Sequence, residues 1–236
     1  EIFKLLIKQN KFDEIFEFKF DTEDKNVYLE LARAYYYKKD FQKALEILTK
    51  IQPQMTNNQD FLLLLGQCYY YSNQKESCIE IIGQFEAKNA EQMNFLGLVE
   101  TYLENYKEAV SYFNKAIKQN RSNSEYYYNV ANVYFKQGEL ALAKRNYNLA
   151  ISICPENQNY HFALANLYYS EKHYKKALEE LEGDFFEAKF LKAVILYETG
   201  YLALARKELS ELALEYPNRE MVNEYMTRIN SELGLN

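Results

Sequence analysis

The side chains of this 236-residue chain that could carry chemistry are few and far apart. There are two histidines, His161 and His173, and three cysteines, Cys68, Cys78 and Cys154. A metal site needs three or four such ligands at spacings of the HExxH or paired CxxC kind, and neither arrangement occurs. An odd number of cysteines at unrelated spacings fits no disulfide framework. They read as small apolar packing residues, and free thiols lean towards a reducing, cytoplasmic setting, with the periplasm left open. Phosphate-binding loops require clustered glycine so that backbone N–H groups can approach the anion, and the 7 glycines are dispersed. Carboxylates are plentiful but scattered over polar faces such as EKHYKKALEELE, where pairing at i,i+4 on a solvated surface accounts for them. The sequence therefore predicts no catalytic residue, no metal and no cofactor, and a chain that is not an enzyme.

What the chain does carry must be positioned by helices. With only 7 Gly and 3 Pro it has little material for tight hairpins between strands, which points to an all-α fold. Tryptophan is absent while Tyr and Phe number 23 and 15, so the large apolar groups are mostly rings, many with a hydroxyl that prefers a wet or hydrogen-bonded end. The net charge of 28 − 34 = −6 includes no basic block, which argues against nucleic acid as a partner. The apolar run FLLLLG at 61–66 is far short of the roughly 20 residues a membrane-spanning helix needs, so no membrane insertion by this segment is expected. Glu1 opens the chain without an initiator Met and already in helical rhythm, EIFKLLIKQNKFDEIF, as in an excerpt from which a signal peptide could have been removed.

Self-similarity organises the remainder. The triplets in AYYYKKDF (34–41) and CYYYSNQK (68–75) stand 34 residues apart. Ala44, Cys78, Ala109, Ala143, Ala177 and Ala205 follow one another at spacings of 34, 31, 34, 34 and 28, and twelve residues before each stands another small residue: Ala32, Gly66, Gly97, Ala131, Ala165 and Ala193. Small residues paired at a constant offset mark points where two antiparallel helices touch, so each pair predicts a helical hairpin.

In the copy SEYYYNVANVYFKQGELALAKRNYNLAISICPENQ, Tyr127, Val130, Ala131, Tyr134, Gly138, Ala143, Tyr147, Ala150 and Pro155 match the signature of the tetratricopeptide repeat, about 34 residues long, and the chain resembles that family. The resemblance implies a right-handed α-solenoid superhelix. It divides the chain into a partial hairpin at 1–22, six repeats at 25–217 and a C-terminal capping helix at 218–236, in which Met221, Val222, Tyr225, Met226, Ile229 and Leu233 recur at helical spacing. Local kinks are expected where the pattern is compressed, at 17–26 and 180–190.

In this family the first helix of each repeat lines a concave groove that holds a peptide or helix of a partner. Carried over by register, the groove residues are Arg33, Tyr36, Gln67, Tyr70, Asn94 and Tyr102. Further along come Tyr128, Asn129, Asn132, Phe135, Phe162, Asn166, Tyr169, Phe190, Val194 and Tyr197. Phe162 and Phe190 also suit packing between adjacent helices. Asn132 and Asn166 fall at the same position of consecutive repeats, and a carboxamide can both donate to and accept from a peptide backbone, although Asn is common throughout this chain. The family's clamp for a C-terminal carboxylate, built from lysine, asparagine and arginine, is missing, so an acidic C-terminal tail is not the expected ligand. The expected role is a non-catalytic scaffold for a protein or peptide. Two alternatives stay open: an array that assembles with itself, as a homo-oligomer, or with a membrane-associated machine, and an accessory segment of a larger enzyme.

Overall fold

The computed structural model describes residues 2–17, 24–181 and 183–235, and all regular structure among them is helical. A short hairpin, α1 (Ile2–Lys8) and α2 (Phe12–Phe16), comes first. Pairs follow in order: α3 (Lys25–Tyr37) with α4 (Phe41–Ile51) and α5 (Gln59–Tyr71) with α6 (Lys75–Ile82), and then come α7 (Ala90–Tyr102) and α8 (Tyr106–Gln119). Next come α9 (Ser124–Lys136) with α10 (Leu140–Ile153), α11 (Gln158–Ser170) with α12 (Tyr174–Glu180), and α13 (Phe186–Glu198) with α14 (Leu202–Glu215). The last helix is α15 (Glu220–Glu232). The chain divides into two compact units, 1–112 and 113–236. Both are built of helical hairpins, the all-α solenoid class that the repeat predicts.

The first helices of the pairs share the same local chemistry at their ends, except that α13, preceded by Phe185, has no side-chain cap. The side chains of Asp24, Asn58, Asn89, Asn123 and Asn157 accept hydrogen bonds from backbone N–H groups of the opening turn of α3, α5, α7, α9 and α11, satisfying donors that have no partner within the helix. At the other end stands a residue in the left-handed region: Asn10, Lys39, Asn73, Glu104, Gly138, Lys172, Gly200 or Gly234. The N–H of the residue after it donates to a carbonyl five positions back, as in Asp40 to Tyr35, Glu139 to Tyr134 and Leu235 to Asn230, which is the Schellman closure of a helix. From Lys39 to Gly200 each of these residues lies five before the small residue of the second helix.

The small residues occupy the contacts that the spacing predicts. Ala32, Ala44, Ala109, Ala131, Ala143, Ala165, Ala177, Ala193 and Ala205 are all fully buried. A methyl group on Gly66 would stand 3.2 Å from a ring carbon of Phe95 and 3.6 Å from Ile81, so glycine is what lets α5 approach its neighbours there. The two tyrosine triplets close α3 and α5. The compressed stretch at 180–190 appears as a truncated second helix: α12 has 7 residues where α10 and α14 have 14, and a non-helical connection precedes Phe186. In the 17–26 stretch, residues 18–23 lie outside the described residues, as does the end of the 1–22 hairpin. Helix α15 buries Val222 and Ile229, half-buries Tyr225 and Met226, and leaves Met221 and Leu233 exposed.

Candidate functional site

In the first unit an open cleft of about 770 Å³ runs along one face of α3. Val27, Glu30, Arg33 and Tyr37 line it at spacings of three and four, hence from one side of that helix, with Phe3, Lys4 and Lys8 of α1 and Asp60 of α5 around them. Arg33 Nε lies 3.4 Å from Glu30 Oε2, close enough for charge attraction but not aligned as a hydrogen bond. A volume of this order falls within the range of ligand-binding clefts. Of the register-derived residues, Arg33 lines the cleft.

Tyr36 and Tyr70 belong instead to a chain of rings. Tyr36 packs on Tyr37, Phe41 and Tyr71, and Tyr70 meets Tyr71, Phe95 and Tyr102 edge to face at 5.1 to 6.1 Å. Burial pushes the phenol pKa of both Tyr36 and Tyr70 upward. Tyr102 donates from its hydroxyl to Asn73 Oδ1 at 2.6 Å, tying the end of α7 to the turn between α5 and α6. Gln67 is half-buried and Asn94 is buried, as Asn129 and Val194 are in the second unit, so these last three side chains sit in the interior rather than on an open face.

In the second unit the first helices α9, α11 and α13 carry half-exposed rings and amides at matching positions: Tyr128, Asn132 and Phe135, then Phe162, Asn166 and Tyr169, then Phe190 and Tyr197. Several are tied within the fold. Tyr128 packs on Tyr147 and Tyr160, Phe162 on Phe185, and Phe190 on Phe186 and Tyr225. The Tyr169 and Tyr174 hydroxyls both donate to the Glu198 carboxylate, at 2.7 and 2.8 Å, and Tyr197 donates to Glu232 at 2.6 Å. The two asparagines differ. Asn132 Oδ1 accepts the hydroxyl of the buried Tyr147 at 2.7 Å, whereas Asn166 makes no side-chain hydrogen bond among the described residues.

Tyr37 is a cleft residue that the register passed over in favour of Tyr36; the three- and four-residue steps from Val27 to Tyr37 were the available signal. Cys68 and Cys78 are buried, which pushes their thiols up to about 12 and about 11. Among the described residues no group of three or more His, Cys, Asp and Glu side chains is arranged to hold a metal ion, and no helix is long and apolar enough to cross a membrane.

Three family models match, in four places. The TPR repeat model covers residues 97–138 and 131–171, a tetratricopeptide repeat model covers 26–52, and the model of anaphase-promoting complex, cyclosome, subunit 3 covers 49–116. Together they run from 26 to 171. No curated protein matches the chain. Among solved structures, a chain of the APC/C hetero-tetramer Cut9–Hcn1 aligns over 96% of this chain and 48% of its own length, with a TM-score of 0.80 at 13% identity. This chain thus spans about half of that one. PilW, a widely conserved type IV pilus biogenesis factor, gives a TM-score of 0.72 at 19% identity, covering 86% of this chain and 98% of PilW. YrrB, a TPR protein with an unusual peptide-binding site, gives 0.53 at 18% identity over 84% of this chain and 98% of YrrB. At these identities the likeness is one of fold.

Proposed function

Because this chain belongs to the tetratricopeptide repeat proteins, we propose that it is a non-catalytic scaffold whose first-helix faces hold a segment of a partner protein. The observation that carries the reading is the succession of half-exposed rings at matching positions of α9, α11 and α13 and of half-exposed amides on α9 and α11, with the Asn166 amide making no side-chain hydrogen bond among the described residues. A peptide backbone presents donors and acceptors at a regular interval, and amides repeated on successive helices suit it, while neighbouring rings supply apolar contact. The cleft beside Arg33 in the first unit offers a second surface of the same kind. Two fold neighbours support the general role: one is described as having a peptide-binding site, the other comes from a hetero-tetramer.

The test needs no known partner. Panning a random-peptide display library on the purified protein yields a probe peptide, whose affinity is then measured by calorimetry. Asn166→Ala and Phe162→Ala together are expected to weaken it roughly tenfold or more, since an amide hydrogen bond alone contributes about 0.5 to 1.5 kcal/mol. Lys175→Ala, on the exposed side of α12, is expected to leave affinity unchanged. Equal binding by all three proteins refutes the reading. A second reading, assembly with further copies, draws on the exposed Ile2 and Leu5 of α1. It predicts a mass by size exclusion with light scattering that rises with concentration and falls in Leu5→Lys.

A further inference from the structure

Both ring nitrogens of His161 face atoms that accept hydrogen bonds. Nδ1 lies 2.7 Å from Glu180 Oε2, and Nε2 lies 2.9 Å from the carbonyl oxygen of Pro155. A neutral imidazole has one N–H and so satisfies only one of them. The carbonyl never donates, which assigns a proton to Nε2. The second proton, between Nδ1 and Glu180, belongs to the more basic partner, and an imidazole near 6.5 outranks a glutamate near about 4.3. The side chains are only 29% and 26% exposed, so water does not readily replace either contact.

We propose that His161 is an imidazolium latch, a proton-dependent device that ties the loop between α10 and α11 to the end of α12. Among the described residues, the elements packed around it carry few charged groups. On the loop, Glu156 is engaged by the thiol of Cys154 at 3.0 Å. On α12, Glu179 is exposed and the Lys176 ammonium lies over the Tyr168 ring. At the start of α9 stands Glu125, and at the start of α13 Lys189 is paired with Asp184 and Glu215. The second half of α10 carries no charge.

The latch holds the last residue of the truncated α12; residues 183–185 are non-helical, and Phe185 packs edge to face on Phe162 at 5.3 Å, next to His161 itself. A partner that favours the charged form raises the folded-state affinity for the proton. The stabilisation is therefore complete below the ordinary imidazole value of about 6.5 and is lost as pH rises through the higher folded value. The latch stands whether or not the first-helix faces hold a ligand.

Nitrogen-15 spectra of the two histidine rings test it, with His161→Gln assigning the signals, because His173 is the other histidine. At about pH 6.5 both nitrogens of His161 are expected to read as predominantly protonated, with a titration midpoint above that value. In Glu180→Gln the midpoint is expected to fall by about one unit or more. A midpoint at or below about 6.5 in the unaltered protein overturns the proposal. So does a midpoint that folded Glu180→Gln leaves in place. The measurement on the unaltered protein decides by itself should that variant fail to fold.

Discussion

Asn132 and Asn166 hold the same register position, yet replacing each by alanine is expected to have opposite consequences for stability. Asn132 is the acceptor for the hydroxyl of Tyr147, which is 2% exposed, so Asn132→Ala leaves a buried donor without a partner. Leaving a buried polar group unsatisfied costs about 1 to 3 kcal/mol, and the better helix propensity of alanine returns roughly 0.5 of that. The net loss is about 0.5 to 2.5 kcal/mol, or a melting temperature lower by some 1 to 10 °C for a chain of this size. Asn166→Ala breaks no side-chain bond and is expected to melt at or slightly above the parent. Tyr147→Phe removes the donor itself, so adding it to Asn132→Ala causes little further loss. The coupling in that double-mutant cycle, read from urea unfolding followed by circular dichroism, is expected to be about 1 kcal/mol. Equal stability of the two asparagine variants, or additivity of Asn132→Ala with Tyr147→Phe, refutes the reasoning.

Three further outcomes follow from the packing and the turns. Ala143 is fully buried in one cluster with Ala131, Tyr147, Leu164 and Leu167, and Ala143→Leu is expected to destabilise by about 1 to 3 kcal/mol through overpacking, seen as a lower melting temperature. Gly138 has φ of +77° and open space where a side chain would go, so Gly138→Ala is expected to cost about 1 kcal/mol in denaturant unfolding from backbone conformation alone. Cys68 and Cys78 are buried and held as thiols, with pKa values up to about 12 and about 11; alkylation near neutral pH is expected to spare them in the folded protein and to reach them on unfolding, as peptide mass mapping would report.

The hairpins were legible because close approach of two helices has few solutions. Only Gly, Ala or Cys fits at the six contacts, and their constant offset survives even where the period shrinks to 28. The turns were legible only in part. Gly138 announces a left-handed residue, but the equivalent positions are held by Lys39, Asn73, Glu104 and Lys172, because two backbone hydrogen bonds offset the strain that these side chains bring. The polar surface was least legible, since what a side chain does there depends on a partner one helix away. Residue 147 is a tyrosine, and residue 181, one repeat on, is a leucine; that difference makes Asn132 part of the core's hydrogen bonding and leaves Asn166 open. His161 follows the same logic. It stands among the large residues of a first helix, and nothing in its own neighbourhood of sequence distinguishes a packed ring from a latch. The partners that do so, Pro155 and Glu180, become its neighbours only after the loop before α11 and the shortened α12 have folded against it. A repeat pattern thus reports which faces meet, while the chemistry on those faces is set by substitutions that differ from one copy to the next.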